Sequence, residues 1–368
     1  MAQTKNALKR PRIHSAKKSP LEDLIPLKTP ISVHIDICSL CNFRCSFCFQ
    51  ADTVGMKKVN LKRGFMDFSL FTKIVDELSE FPEKIKKVKI GNHGEPTMHP
   101  DLPAMVKYIV SKDVAEIVEL FTNGSKLDPK LNSELIDAGL QRINVSLEGL
   151  TDERYLQVAG VRQSFSNIVD GVRNLYKNKT EKNSDLVIYV KIADQTHPLG
   201  GVDTEPYILS ENEKEIFYQT FENICDEIYV EKIVPQWSDT QLDKQNSVGN
   251  EGMYGQKIVK WKKVCPFTFM YLHINCDGTV SPCTLDWPRK VIIGNANEET
   301  MEQIWRGERL SQLQHAMLAG KRKCINFCGT CSAPMVCVEE NLDPHIDKSY
   351  KAMKIKNNNE TLKENIWI

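Results

Sequence analysis

Cys38-Ser39-Leu40-Cys41-Asn42-Phe43-Arg44-Cys45-Ser46-Phe47-Cys48 follows directly on residues 31–37, an alternating, β-branched run that reads as a strand. Cys41, Cys45 and Cys48 are separated by three and two residues, so their thiolates can converge on one metal centre from a single loop. A fourth protein ligand would close a four-iron cluster; three ligands leave one iron open to bind and activate a substrate. Cys38-x2-Cys41 with Cys45-x2-Cys48 would also supply four ligands for a structural zinc. The strand before the loop and the rhythm after it separate these readings.

That rhythm alternates strands and helices. Residues 68–81 have helical periodicity through Phe71, Ile74, Val75 and Leu78, and residues 87–90 form a short strand. Residues 102–110 read as a helix, 117–121 as a buried strand and 131–138 as a helix stopped by Gly139. Strand 143–147, helix 165–176 and strand 186–192 follow. The capping box Ser210-Glu211-Asn212-Glu213 opens a helix to Phe221, and residues 228–234 are a sixth strand. Six βα units predict an α/β fold, a partial (β/α)6 TIM-like barrel over residues 30–235, with its site at the C-terminal ends of the strands. Residues 1–29 read as a basic flexible tail, and 236–262, with Gly249, Gly252 and Gly255, as a linker or active-site loop. Residues 263–337 read as a small Cys-rich domain and 338–368 as a C-terminal tail.

Composition narrows the function classes. The 368 residues are 41% hydrophobic and 26% charged with zero net charge, which fits a globular protein and gives no reason to expect nucleic acid as a partner. No stretch has the apolar length of a membrane span and no signal peptide is visible, so a cytoplasmic location is expected. The twelve cysteines are clustered: four in residues 38–48, three in 265–283 and four in 324–337, with Cys225 alone. Clustered thiols in such a chain point to bound metal rather than to disulfides.

The loop's Cys-x3-Cys-x2-Cys pattern, with Phe47 before the last cysteine, resembles the signature of the radical S-adenosylmethionine superfamily. The resemblance implies that Cys41, Cys45 and Cys48 hold a catalytic [4Fe–4S] cluster whose open iron chelates S-adenosylmethionine (SAM). It also implies reductive cleavage of SAM to methionine and a 5′-deoxyadenosyl radical. Further segments match the family's order down the barrel. Gly91-Asn92-His93-Gly94-Glu95-Pro96 resembles its Gly-Gly-Glu-Pro, with His93 in place of the first glycine. Thr122-Asn123-Gly124 and Ser146-Leu147-Glu148-Gly149 resemble segments that end later strands, with Glu148 where the family carries Asp. By this resemblance Phe47, Gly94, Glu95, Pro96, Asn123, Ser146 and Glu148 contact SAM. Lys191 on the fifth strand reads as a solvated lysine.

Near the C-terminus, Cys265-x12-Gly278-x4-Cys283 and Cys328-x2-Cys331-x5-Cys337 resemble the auxiliary-cluster extension called SPASM, or its shortened form, twitch. Asp277-Gly278 suits the tight turn of a hairpin. No cysteine follows Cys337, so the shortened form fits better: one auxiliary [4Fe–4S] cluster on Cys265, Cys283, Cys328 and Cys331, against two in the complete form. Cys276 and Cys324 read as plain thiols, and Cys337 as a candidate hydrogen-atom donor.

The expected activity is that of a radical SAM oxidoreductase, a dehydrogenase or an epimerase acting on a hydroxylated, carbohydrate-like small molecule. A peptide-modifying maturase is the alternative within the family, and a zinc-binding interaction protein the alternative outside it. The family implies a flavodoxin- or ferredoxin-type electron donor.

Overall fold

The computed structural model describes residues 6–12, 19–199, 205–240, 251–259 and 261–354. Parts of the expected N-terminal tail, of the 236–262 linker and of the C-terminal tail lie outside these residues. The strands are β1 (Leu8–Lys9), β2 (Ser32–Ile35), β3 (Ile85–Ile90), β4 (Ala115–Thr122), β5 (Arg142–Leu147) and β6 (Val187–Ala193). They continue as β7 (Gln195–Thr196), β8 (Tyr207–Ile208), β9 (Glu227–Glu231), β10 (Tyr271–Ile274), β11 (Thr279–Ser281) and β12 (Gly294–Asn295).

One sheet runs β1-β9-β6-β5-β4-β3-β2-β10-β11-β12. The six expected strands, β2 to β6 and β9, are parallel neighbours, as βα units require. Helices follow the strands: Phe68–Leu78, Leu102–Ser111, Pro129–Asp137, Phe165–Glu181 and Glu211–Phe221. This is the expected open barrel, an incomplete relative of the closed eightfold form.

Strand alternation sorts the chain into two faces. Val33, Ile35, Val88, Ile90, Val118, Leu120, Ile143, Val145, Ile188 and Val190 are buried in the apolar core that the helices share. The other face points into the barrel and is polar. Register aligns His273, His34, Lys89, Glu119 and Arg142 across five neighbouring strands. Arg142 anchors this interior: its Nη2 donates to Glu227 Oε2 at 2.6 Å, and its Nε lies 3.3 Å from Glu119 Oε1.

Arg142→Ala would leave these two buried carboxylates facing each other without that cation. We expect it to cost about 3–5 kcal/mol, read as a lower unfolding midpoint of the iron-loaded protein in denaturant. A loss below about 1 kcal/mol would remove this anchoring role. Burial alone would raise the Glu227 carboxyl, but hydrogen bonds from Arg142 and Arg10 hold it below its usual range. Its contribution is therefore present above the unfolded value of about 4.3 and fades as pH falls through the lowered folded one.

Three segments depart from expectation. The first is the described part of residues 1–29, which is built into the fold. β1 pairs in parallel with β9, Arg10 pairs with Glu227, and Leu21 and Ile25 are buried. The edge of β9 recruits a two-residue strand too short to carry a periodic signal. Second, β10 of the Cys-rich region pairs in parallel with β2, so this region extends the barrel sheet instead of forming a separate one. The β10–β11 hairpin turns at Asp277-Gly278, where Gly278 has φ +89° and Thr279 N–H donates to Asp277 Oδ1 at 3.1 Å. Third, the stretch after residue 337 is not wholly a loose tail. Leu342 is fully buried, and the helix Ile346–Lys354 packs on Glu308–Leu318.

Candidate active site

The cysteine loop leaves the C-terminal end of β2 and is tied down on both sides. Arg44 N–H donates to Ala159 O at 2.9 Å and Ser46 N–H to Val158 O at 2.8 Å, fastening it to the helix Asp152–Ala159. The Phe43 ring lies 6.0 Å from that of Tyr155, edge to face. Arg63 donates to Ser39 O from both Nε and Nη2, at 3.1 and 2.9 Å. Cys41, Cys45, Cys48 and Phe47 line one cavity. Cys38 is different: it is fully buried and its thiol donates to Leu40 O at 3.2 Å. The paired zinc arrangement therefore lacks its fourth ligand at the cavity, while three convergent thiols suit a cluster with one open iron. Burial pushes the Cys41 and Cys48 thiols up to about 12, and Cys45 well above its ordinary value. Thiols this costly to ionise alone become thiolates when a metal centre offsets the charge.

The Gly-Glu-Pro turn lies directly on this loop. A Cβ on Gly94 would sit 2.3 Å from Cys38 O and 2.6 Å from Leu40 O. Glu95 N–H donates to Leu40 O at 2.8 Å. The Glu95 side chain faces the strand ends. Oε1 accepts from Thr97 N–H, Thr97 Oγ1 and Thr122 Oγ1 at 3.0, 2.6 and 2.8 Å, and Oε2 from Asn123 N–H at 2.7 Å. The carboxylate thus clamps the end of β4, leaving the backbone of the turn for a ligand. Asn123 Nδ2 donates to Asn42 Oδ1 at 2.9 Å, carrying the link back to the cysteine loop. Ser146 and Glu148 line the same cavity from the end of β5. Burial pushes Glu148 up to about 7, against the hydrogen bond with Cys45 and the charge of Lys191. Lys191 is not a free surface lysine: half-buried, it lines the cavity and pairs with Glu231.

His93, which stands for the first family glycine, has a structural partner. Its Nδ1 lies 2.9 Å from Asp36 Oδ2, which is also 3.0 Å from His273 Nε2. His93 Nε2 lies 2.5 Å from Thr284 O, beside Cys283. Burial opposes ionisation of Asp36, but the two imidazoles hold its carboxyl well below the usual range. This buried trio ties β2, the Gly-Glu-Pro turn, β10 and the Cys283 loop together.

Cys265, Cys283, Cys328 and Cys331 are brought together. Burial raises all four, and each of Cys283, Cys328 and Cys331 is raised further by charge on others of the set. A four-thiolate set of this kind would close an iron–sulfur site with protein ligands alone. Buried Arg322 donates to Lys262 O at 2.6 Å and to Cys331 O, stacking over Trp261 with 4.1 Å to the ring centroid. Cys276 is buried and Cys324 exposed. Cys337 lines the barrel cavity, its Sγ 4.0 Å from Gln236 Oε1.

The cavity measures about 320 Å3, and Trp237, Met253, Tyr254 and Phe267 are among the residues that line it. Its inner wall carries basic side chains that the sequence reading did not select: Arg12, Lys89 and the imidazole of His34. Arg12 Nη2 donates to the Tyr254 hydroxyl at 2.7 Å. Burial, then the charge of Arg12, push the Lys89 ammonium down to about 7. Burial, then Lys89, hold His34 well below its ordinary value, so that ring is neutral. The pattern Lys87-Val88-Lys89-Ile90 signals an alternating strand; it does not reveal that the lysine face points inward.

Comparison with known proteins supports the same assignment. Residues 35–195 match the model of the radical SAM superfamily, and residues 265–332 that of the SPASM iron–sulfur cluster-binding domain. The chain is 26% identical over 339 residues to a tungsten-containing aldehyde ferredoxin oxidoreductase cofactor-modifying protein of Pyrococcus furiosus, covering 83% of this chain and 88% of that one. It is 33% identical over 156 residues to a probable GTP 3′,8-cyclase of Metallosphaera sedula, a match spanning 42% of either chain. In fold it is similar to Streptococcus suis SuiB bound to S-adenosylmethionine (TM-score 0.59, 14% identity, 86% of this chain and 74% of that one). It is also similar to BtrN in complex with AdoMet and 2-DOIA (TM-score 0.51, 18% identity, 84% and 96%). A radical SAM domain works with a [4Fe–4S] cluster and SAM, and a SPASM domain with auxiliary iron–sulfur clusters. Among the described residues no helix is long and apolar enough to cross a membrane. A barrel loop with three cavity-facing thiols, a second convergent set of four and both domain matches in this order make the chain a member of the radical SAM superfamily with a SPASM-type domain.

Proposed function

We propose that the protein takes a hydrogen atom from a hydroxylated, carbohydrate-like small molecule, which leaves oxidised or epimerised. The supporting observation is the shared cavity: the three-cysteine loop, the strand-end segments and Cys337 all line one cavity, of a size suited to small ligands. Cys41, Cys45 and Cys48 hold the catalytic cluster in this reading, which when bound supplies the electron that splits SAM into methionine and a 5′-deoxyadenosyl radical. Phe47, the Gly94–Pro96 backbone, Asn123, Ser146 and Glu148 bind SAM. Cys265, Cys283, Cys328 and Cys331 hold one auxiliary cluster, suited by its closed ligand set to electron transfer. A flavodoxin- or ferredoxin-type protein supplies the low-potential electron.

Two outcomes follow from what this chain can do with the substrate radical. Oxidation needs a base for the O–H proton and an acceptor for one electron, leaving a carbonyl. Epimerisation needs a hydrogen atom returned to the opposite face, and Cys337 is the thiol placed at the cavity.

Anaerobic, iron-loaded protein given SAM and a reductant is expected to release 5′-deoxyadenosine. The rate should rise about tenfold or more with a member of a panel of sugars, sugar acids and cyclitols, and not with short peptides. Stimulation by peptides alone would replace the small-molecule reading with the maturase one. In D2O, deuterium at an inverted carbon that disappears in Cys337→Ala assigns the donor. A carbonyl product unaffected by that substitution assigns the oxidation.

A further inference from the structure

The inner wall of the cavity has a surplus of positive charge. The carboxylates that line it are Glu95, held by the hydrogen bonds at the end of β4, Glu148, and Glu231, which pairs with Lys191; behind the wall Glu119 and Glu227 pair with Arg142, and Glu227 also with Arg10. Arg12 and Lys89 have no ion pair among the described residues; with Lys87 and Arg142 they share the charge of one carboxylate, Glu119, so the cations outnumber it. Arg12 Nε and Nη1 are buried and have no hydrogen-bond partner among the described residues, because only Nη2 meets Tyr254. The Arg12 guanidinium lies 5.0 Å from the centroid of Phe121. Lys89 is buried with its Nζ 5.6 Å from the centroid of Tyr271 and no ion-pair partner among the described residues.

Two buried cations that repel each other, with donors unused, are costly unless something supplies the counter-charge. Both line the cavity. A planar guanidinium with free donors beside a compact ammonium matches the geometry of an oxyanion, the fork setting its orientation and the lysine adding charge.

We infer that Arg12 and Lys89 form the seat for an oxyanion, a carboxylate or a phosphate, carried by the substrate on the inner wall of this cavity. The inference rests on reading the cavity as the substrate site, and it narrows the substrate class to acidic or phosphorylated molecules. An anion between the two side chains favours the charged ammonium, against the burial and the Arg12 charge that push it down. Tyr254 orients the seat through its contact with Arg12.

The test uses the full-length, iron-loaded protein with SAM present, titrated calorimetrically with inorganic phosphate and, separately, with acetate. At least one anion is expected to bind, and Lys89→Met and Arg12→Gln should each weaken it by about tenfold or more. Iron content and SAM affinity are the controls. Lys89→Met breaks no hydrogen bond or ion pair among the described residues, and Glu119 keeps Arg142, so it tests the seat even if Arg12→Gln, which leaves Tyr254 without its donor, folds poorly. Tighter phosphate points to a phosphate ester and tighter acetate to a carboxylic acid; either upholds the seat. Absence of binding by both anions, or equal binding by the variants, overturns it. So does phosphate that competes with SAM, because the seat would then belong to the carboxylate of SAM. These outcomes are independent of SAM cleavage, so failure of the enzymatic reading and failure of the seat are distinguishable.

Discussion

Replacing Cys41, Cys45 and Cys48 together by alanine is expected to abolish 5′-deoxyadenosine formation while leaving about four irons per chain of about eight. The physical reason lies in the separation of the two thiol sets. Cys41, Cys45 and Cys48 belong to the loop leaving β2, whereas Cys265, Cys283, Cys328 and Cys331 belong to the C-terminal region and raise one another's ionisation cost. Removing the first set leaves the second intact. Iron and sulfide analysis of anaerobically purified protein, with chromatography of the nucleoside product, checks both halves. Retention of about eight irons would show that the loop thiols are not ligands, and complete loss of iron would show that the two sets are not independent. About twelve irons in the unaltered protein would call for a second auxiliary cluster and recruit Cys337 or Cys324.

Gly94→Ala is the second substitution with a large expected effect, although it adds only a methyl group. The new Cβ would lie 2.3 Å from Cys38 O and 2.6 Å from Leu40 O, so two backbone carbonyls would have to move. Neither is the end of a flexible side chain. Leu40 O also accepts the Glu95 N–H, and the Glu95 carboxylate in turn holds Thr122 and Asn123. Displacement therefore spreads from the cysteine loop to the end of β4. We expect SAM cleavage to fall by about 100-fold or more, which corresponds to about 2.7 kcal/mol in the barrier, with SAM affinity reduced in parallel. Near-normal cleavage with a full iron complement would mean that the turn does not fix the loop.

How much of this was legible differs by element. The six parallel strands were, because each carries a short β-branched run and each intervening helix a 3.6-residue pattern, as in Phe71, Ile74, Val75 and Leu78. The segments around Glu95, Asn123 and Glu148 sit where a barrel places ligand-binding residues, so their order along the chain foretold their meeting in space. Arg12 was not legible. It lies in a basic stretch whose composition resembles a free tail, and its order comes from a partner edge more than two hundred residues away. Lys89, Glu119, Arg142 and Glu227 were hidden for another reason. A strand with one polar face reads the same whether that face meets water or the inside of a barrel. His93 appeared as a departure from the family glycine, and only the positions of Asp36 and His273 explain it.

The placement of β10 beside β2 bears on how the protein is made. β2 emerges early from the ribosome with one edge that, among the described residues, β10 covers, and β10 is synthesised some two-thirds of the chain later. Until then the nascent barrel presents an open strand edge next to the cysteine loop, a combination prone to aggregation. Closure of that edge also brings His273 to Asp36 and thereby locks the turn that carries Gly94. The support of the catalytic loop therefore waits on the arrival of β10, and residues 30–235 expressed by themselves are expected to aggregate.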